Sequence, residues 1–427
     1  MDQLLITGGR PLEGRIPISG AKNSALKLMA ASLLTDEPVT LRRTPNLADT
    51  RFLAELLSTL GVEVYWPKGE TTCRLNAAEL TSTIAPYDQV RKMRASFNVL
   101  GPLLARSGHA TVSLPGGCAI GARPVNFHLD ALLALGADLK VEGGYVKAAA
   151  IHGLKGARVA FPFPSVGATE HIMMAAALAK GETVLENAAC EPEIEDLADC
   201  LNAMGARIEG AGTNTINIQG VERLAGAKHA VMTDRIEAGT YAMAAAAAGG
   251  DVTLEDAPVA ALGAAIDQLR AAGVEVDVDA DAGTLRIRRN SARVSAIDVD
   301  TAPYPGFPTD LQAQLMALLA TADGVSVIRE NIFENRFMHA PELCRLGADI
   351  FVRGKEAVVT GVPALRGAPV MATDLRASVS LVIAGLVAEG ETMVSRIYHL
   401  DRGFEHLEDK LSKCGADIRR VSTEAVQ

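Results

Sequence analysis

The sequence predicts an α/β protein of two domains, each built from three copies of one subdomain with helices inside and sheets outside. Three observations lead there. The pattern L-x-x-x-G-[AV]-[DER]-[VLI] recurs six times, with its glycine at Gly61, Gly136, Gly205, Gly273, Gly347 and Gly415, so the copies lie 68 to 75 residues apart. That period is longer than a solenoid repeat and suits a small α/β unit. Six further segments are apolar nearly all round, a pattern that only a buried helix sustains. A chain of 427 residues also exceeds what one ordinary core accommodates.

The elements follow one order in every copy. First comes the apolar helix: KNSALKLMAASLL from Lys22, RASFNVLGPLLA from Arg94, VGATEHIMMAAALA from Val166, RIEAGTYAMAAAAA from Arg235, DLQAQLMALLA from Asp310 and LRASVSLVIAGLVA from Leu375. A strand follows each: PVTL at 38, ATVS at 110, ETVL at 182, DVTL at 251, VSVI at 325 and ETMV at 391. A loop then leads to a second helix, which ends in the recurring pattern: a leucine in the last turn, glycine at the left-handed cap, then a short alternating strand. Six buried helices divide most economically into three per domain. The domains are expected at 22–232 and at 1–21 plus 233–427, with residues 1 to about 21 supplying a strand to the second.

Polar residues gather at the N-terminal ends of the buried helices: Lys22 and Asn23, Arg94, Ser165, Asp234 and Arg235, Thr309 and Asp310, Asp374 and Arg376. Helix N-termini offer free N–H groups and a positive dipole end, which suit anions. Two domains presenting such ends to each other would enclose an anion-binding cleft, the expected active site. Thr309-x-x-Gln312 reads as a capping box.

Bulk properties exclude several classes. A formal charge of −10 argues against nucleic acid or an anionic membrane as the main partner. Apolar runs such as Ile172 to Leu178 and Val379 to Val387 stop short of the ~20 residues that span a bilayer. The Met-Asp start carries no signal peptide, so a cytoplasmic protein is expected. The six cysteines, at 73, 118, 190, 200, 344 and 414, form no metal-ligand pattern, and five read as ordinary reduced, mostly buried thiols. No phosphate-loop, dinucleotide or hydrolase motif is present.

Cys118 differs from the other five. It lies in LPGGCAIGARPVNFH, Leu114 to His128, where flanking glycines remove shielding side chains and Arg123 follows the thiol. An incidental thiol in a mobile surface loop is the other reading. Lys22 could meet a phosphate or carboxylate, or be a solvated helix-start lysine. Asp310 suits the helix dipole whatever its function, yet beside cations it could also take a proton from a hydroxyl. Arg402, in YHLDRG, occupies in the sixth copy the connection that Cys118 and Arg123 occupy in the second. His128 and His339 read as packing or hydrogen-bonding histidines.

Ten ordered segments along nearly the whole chain carry a family resemblance: ISGAKN at 18, MRAS at 93, LPGGCAIGARPV at 114, SVGAT at 165, NAACEPEI at 187, DRIEAGT at 234, FPTDLQAQ at 307, FENRFMH at 333, ATDLRAS at 372 and RIYHLDRG at 396. The sequence resembles the bacterial UDP-N-acetylglucosamine enolpyruvyl (1-carboxyvinyl) transferases of the EPSP synthase family. The resemblance implies an inside-out α/β barrel in each domain, built of three βαβαββ-type repeats. It also implies transfer of the enolpyruvyl group of phosphoenolpyruvate to the 3-hydroxyl of UDP-N-acetylglucosamine with release of phosphate, the first committed step of peptidoglycan synthesis.

By the same resemblance, Cys118 is the proton donor and can bond covalently to phosphoenolpyruvate. Asp310 is the base beside the sugar hydroxyl. Lys22, Asn23, Cys118, Arg123 and Arg402 bind phosphoenolpyruvate. Arg94, Arg123, Pro124, Val125, Asn126, Phe127, Ser165, Val166, Gly167, Asp310 and Ile332 hold the sugar nucleotide, and Glu191, Glu193, Arg336, Asp374 and Arg376 stand near. No cofactor or metal is implied, the partners are the two small substrates, and the epoxide fosfomycin is expected to alkylate Cys118. Asn126 stands where the family pattern has aspartate, and Phe163–Pro164 replaces a more polar pair, both at the nucleotide end. The runner-up is a transferase acting on shikimate 3-phosphate.

Overall fold

The computed structural model describes residues 2–116 and 125–422. These fall into two compact units, one running from Gly20 to Met232 and one made of residues 2–19 with 233–422. Each unit holds its own hydrophobic core.

The described residues contain six four-stranded sheets, three per unit. In the second repeat Ile84–Ala85 pairs in parallel with His109–Ser113, across the helix that joins them, while Tyr145–Ala149 and then Asp138–Glu142 add antiparallel strands. The third repeat has the same order: Arg158–Ala160, Glu182–Glu186, Thr215–Gln219, Arg207–Glu209. So does the fifth: Val299–Asp300, Val325–Arg329, Glu356–Thr360, Asp349–Arg353. This is the expected βαβαββ unit. Parallel neighbours need a crossover helix, whereas the last two strands need only a short turn.

The first, fourth and sixth repeats borrow strands from elsewhere in the chain. Lys228–Ala230 supplies the opening strand beside Val39–Arg42. At the N-terminus the structure has two strands where one was expected. Leu12–Pro17 opens the fourth repeat, parallel to Gly250–Glu255, and Asp2–Thr7 lies between Glu391–Ser395 and Asp417–Ser422 in the sixth. Leu4 and Ile6, on one face of that central strand, are fully buried, consistent with period-two alternation.

The apolar helices lie inside. All residues from Arg235 to Ala247 in the Arg235–Ala248 helix are buried, as are Arg376 to Leu386 in the Leu375–Val387 helix. Alanine and glycine allow the close approach: a Cβ on Gly239 would come within 2.5 Å of Leu311 Cδ1. Each fully buried Leu, Ile or Met contributes about 1.5–3 kcal/mol, and these helices contribute them on every face.

Two helix starts depart from expectation. Arg94–Val99 forms a 3-10 helix, and the α-helix begins at Leu100. Pro102 explains the break: it has no N–H to return to residue 98, so it fits only the first turn of an α-helix. Likewise Thr309–Leu311 is 3-10 and the α-helix is Gln312–Leu319. The capping box expected at Thr309 does not form, because its hydroxyl donates to the Glu330 carboxylate at 2.9 Å instead. A charged acceptor makes the stronger hydrogen bond.

All six repeat glycines have φ between +82° and +105°. At Gly61 the glycine N–H donates to Ser58 O and the Val62 N–H to Leu57 O. The same pair of bonds recurs at the other five, giving six Schellman caps. No helix among the described residues is long and apolar enough to cross a membrane.

Candidate active site

In the first unit, polar residues cluster at the starts of buried helices. Lys22 opens the Lys22–Ala31 helix at 9% exposure, with Nζ 3.4 Å from Asp49 Oδ2, and Asn23 follows it. Arg94 begins the 3-10 turn before Leu100. Ser165 caps the Val166–Ala176 helix by accepting from the Ala168 N–H, so Val166 and Gly167 form its first turn. Val125 precedes the Asn126–Ala134 helix, whose first turn carries Asn126 and Phe127. His128 joins these two helix starts, since a Cβ on Gly167 would sit 3.6 Å from its ring. Glu191 stands at the N-cap position of the Pro192–Ala203 helix, without a capping side-chain bond, and Glu193 is buried in its first turn. Cys118, Arg123 and Pro124 lie outside the described residues.

Beneath this surface is a buried network that sequence reasoning missed. Lys27 Nζ pairs with Glu170 at 2.6 Å. Burial pushes the Glu170 carboxyl up to about 7, against the pull of Lys27. The Gly101 N–H donates to His171 Nε2 at 2.6 Å, and His171 Nδ1 lies 3.0 Å from His128 Nδ1. A backbone N–H can only donate, so Nε2 is unprotonated, and the neutral His171 ring carries its proton on Nδ1 and donates it to His128. Burial and the nearby Lys27 ammonium drive the His171 pKa down to about 3, which keeps the ring neutral. His128 is thus a hydrogen-bonding histidine, as its sequence context suggested.

In the second unit Asp310 is the focus. Arg336 Nη2 donates to Oδ1 at 2.7 Å and Arg376 Nη2 to Oδ2 at 3.0 Å. Both arginine side chains are almost enclosed, at 5% and 6% exposure, while Asp310 keeps 26%. The site therefore presents a carboxylate backed by two nearly enclosed cations and itself about a quarter exposed. Asp374 caps the Leu375–Val387 helix, accepting from the Arg376 and Ala377 N–H groups and so fixing where Arg376 starts. Arg402 ends the 3-10 turn Ile397–Arg402, close to the half-buried His399, whose pKa is lowered by burial and then by Arg402. Ile332 donates its N–H to the Glu330 carboxylate.

The thiols differ in part from expectation. Cys73, Cys200 and Cys414 are buried, but Cys190 is half-buried and Cys344 is exposed. Burial pushes the Cys73 and Cys200 thiols up to about 12. Cys344 opens to solvent because it lies on the short surface helix Ala340–Arg345, whose buried face is carried by Ala340 and Leu343. Among the described residues no group of three or more His, Cys, Asp or Glu side chains could hold a metal ion.

Fold and comparisons together define a carboxyvinyl transferase. The family model described as EPSP synthase (3-phosphoshikimate 1-carboxyvinyltransferase) matches residues 6–411, and the chain belongs to that family. Among its relatives, the UDP-N-acetylglucosamine 1-carboxyvinyltransferase of Hyphomonas neptunium is 74% identical over 424 residues, covering 99% of this chain and all of that one. The enzyme of the same name from Caulobacter vibrioides is 65% identical over 423 residues, 99% of this chain and 98% of its own. Among solved structures, the enolpyruvyl transferase NikO from Streptomyces tendae superposes with a TM-score of 0.89 at 28% identity, over 98% of this chain and 99% of that one. EPSP synthase from Acinetobacter baumannii, at 20% identity and TM-score 0.76 over 99% and 100% of the two chains, shares the fold.

Proposed function

We propose that the protein transfers the enolpyruvyl group of phosphoenolpyruvate to the 3-hydroxyl of UDP-N-acetylglucosamine in the cytoplasm, releasing phosphate. The observation that carries this reading is near-identity in length with relatives named for that acceptor, the first at 74%. The chemistry of the site supports it. Addition joins the sugar oxygen to C2 of phosphoenolpyruvate while a proton goes to the methylene carbon. Elimination then expels phosphate and returns that proton, restoring the double bond.

Each step needs a group of known type. Asp310, paired with Arg336 and Arg376, is the proposed acceptor of the hydroxyl proton. Cys118 is the proposed donor to the methylene carbon; an unperturbed thiol, with a pKa near ~8.5, is mostly protonated at neutral pH. Lys22, Arg123 and Arg402 neutralise phosphate and carboxylate, where charge shifts during both steps. Arg94, Val125 to Phe127, Ser165 to Gly167 and Ile332 bind the sugar nucleotide, partly through N–H groups of helix first turns.

Phosphate release tests the reading. The purified protein is expected to release phosphate from phosphoenolpyruvate with UDP-N-acetylglucosamine and not with shikimate 3-phosphate. The reverse preference would overturn the acceptor assignment and favour the alternative that the family description names.

A further inference from the structure

After the strand that ends each βα connection, four repeats place an exposed non-glycine residue in the left-handed conformation: Arg43, Asn187, Asp256 and Arg396, at φ between +52° and +59°. The fifth repeat has Glu330 at that position. It is not left-handed and is 1% exposed. Asp256, the only other acid at this position, is exposed and left-handed, so the repeat fold does not require a buried acid here.

The Glu330 carboxylate is fully engaged. Oε1 accepts from the Thr301 hydroxyl at 3.1 Å and from the N–H groups of Ile332 at 2.9 Å and Phe333 at 3.1 Å. Oε2 accepts from the Thr309 hydroxyl at 2.9 Å. Phe333 stacks under the Arg336 guanidinium, 5.3 Å from ring centre to Cζ, and Arg336 donates to Asp310, the residue after Thr309. The contacts close into a ring: Glu330, Phe333, Arg336, Asp310, Thr309 and back to Glu330.

We propose that Glu330 is a positioning residue that sets the Asp310 carboxylate through Thr309 and the Ile332 backbone through Oε1, so that one buried acid aligns the base and the sugar-nucleotide contact. This rests on the proposed reaction, in which Asp310 and Ile332 face the acceptor. Charge-assisted bonds to backbone N–H groups are the strong ones, and a misplacement of about 1 Å near a reacting group can cost ~10²-fold in rate. The two arms predict a split. The Oε2 arm governs turnover and the Oε1 arm governs acceptor affinity.

The experiment measures kcat and KM for both substrates in Glu330→Ala, Glu330→Gln, Thr309→Val and the Glu330→Gln/Thr309→Val pair, with unfolding midpoints alongside. Thr309→Val is expected to lower kcat roughly tenfold or more with little change in the KM for phosphoenolpyruvate. Glu330→Ala is expected to lower kcat and also raise the acceptor KM about tenfold, and Glu330→Gln, which keeps an acceptor for the N–H groups, to restore that KM to within about threefold. The double variant should lose little more than Thr309→Val alone. Should Glu330→Ala not fold, the other three decide. Native kcat in Thr309→Val, or independent losses in the double variant, would overturn the proposal. The wild type is assayed with both acceptors and the variants with the one it uses, so a wrong acceptor shows in the wild type and a wrong Glu330 role only in the variants.

Discussion

Replacing Asp310 by asparagine tests the electrostatic core of the site. Each carboxylate oxygen meets its own guanidinium, at 2.7 and 3.0 Å, and both arginines are nearly enclosed. Asparagine keeps the shape but removes the charge, turning one oxygen into an N–H₂ group that faces a guanidinium donor. Breaking a buried pair by removing one partner costs about 3–5 kcal/mol, because the other charge stays buried. The 26% exposure of Asp310 admits water, so a loss of about 3 kcal/mol, at the lower end, is expected. For a unit of this size that lowers the melting midpoint by about 6–12 °C. Urea unfolding of Asp310→Asn, Arg376→Met and the double variant measures the coupling directly, expected at about 1.5–3 kcal/mol. Phosphate release by Asp310→Asn should fall roughly 10²- to 10⁴-fold if the carboxylate takes the proton. A stability loss below about 1 kcal/mol, the range of solvated surface pairs, would refute the reasoning that this carboxylate is held by desolvated cations.

Buried Glu237, paired with Lys410 at 2.7 Å, is pushed up to about 7 by burial. Its folded pKa lies above its unfolded value, so its stabilising term is full below pH ~4.5 and lost as pH rises through ~7, at up to ~1.4 kcal/mol per unit. His171 and His339, lowered to about 3 and about 4 by burial, act oppositely: their terms are full above pH ~6.5 and lost as pH falls. Unfolding midpoints of Glu237→Gln against wild type at pH 5, 6 and 7 should show the wild-type advantage shrinking, and parallel profiles would contradict this. Among the repeat glycines, Gly205→Ala meets open space at φ +100° and should cost about 1–2 kcal/mol from backbone strain. Gly61→Ala should cost more, because its Cβ would also lie 2.5 Å from Thr81 N; equal unfolding midpoints would show that the cap alone decides. Fosfomycin should add one covalent adduct, mapped by mass spectrometry to Cys118 and absent from Cys118→Ala.

What was legible in the sequence was local. Glycine at a left-handed cap, a leucine one turn before it and a helix apolar on all sides are written within a few residues, and all six helix ends appeared where the pattern puts them. Where two local signals competed, the weaker was misread: the apolar run from Arg94 concealed the limit that Pro102 sets. Contacts between repeats were not legible. Thr309 has the spacing of a cap, but its partner Glu330 lies 21 residues on and marks itself by nothing nearby. Lys27 with Glu170, Lys22 with Asp49 and Lys410 with Glu237 join charges from different elements, and no single segment announces such a pair.

The internal repeats still offer a way to find such residues, because equivalent positions within one chain act as controls for one another. Directly after the strand, the first, third, fourth and sixth repeats share the left-handed residue, and the second and fifth, the middle repeat of each unit, do not. In the second, that position is Leu114, four residues before Cys118 in the sequence. In the fifth it is Glu330, whose bonds hold Thr309 beside Asp310. A backbone device kept in four copies and dropped in two is not needed for folding either of the two, so its loss points to a different constraint. Cys118 follows Leu114 by four residues and Glu330 bonds Thr309, the neighbour of Asp310, and these are the two residues that the proposed reaction uses to move a proton: Cys118 toward the methylene carbon and Asp310 away from the hydroxyl. The two departures from the repeat therefore coincide with the two proposed proton-transfer roles, while the proposed phosphoenolpyruvate and nucleotide contacts at Lys22 and Ser165 sit on helix starts that every repeat possesses. On the proposed reaction, the binding surface draws on what the repeats have in common, and the acid–base chemistry draws on the two that differ.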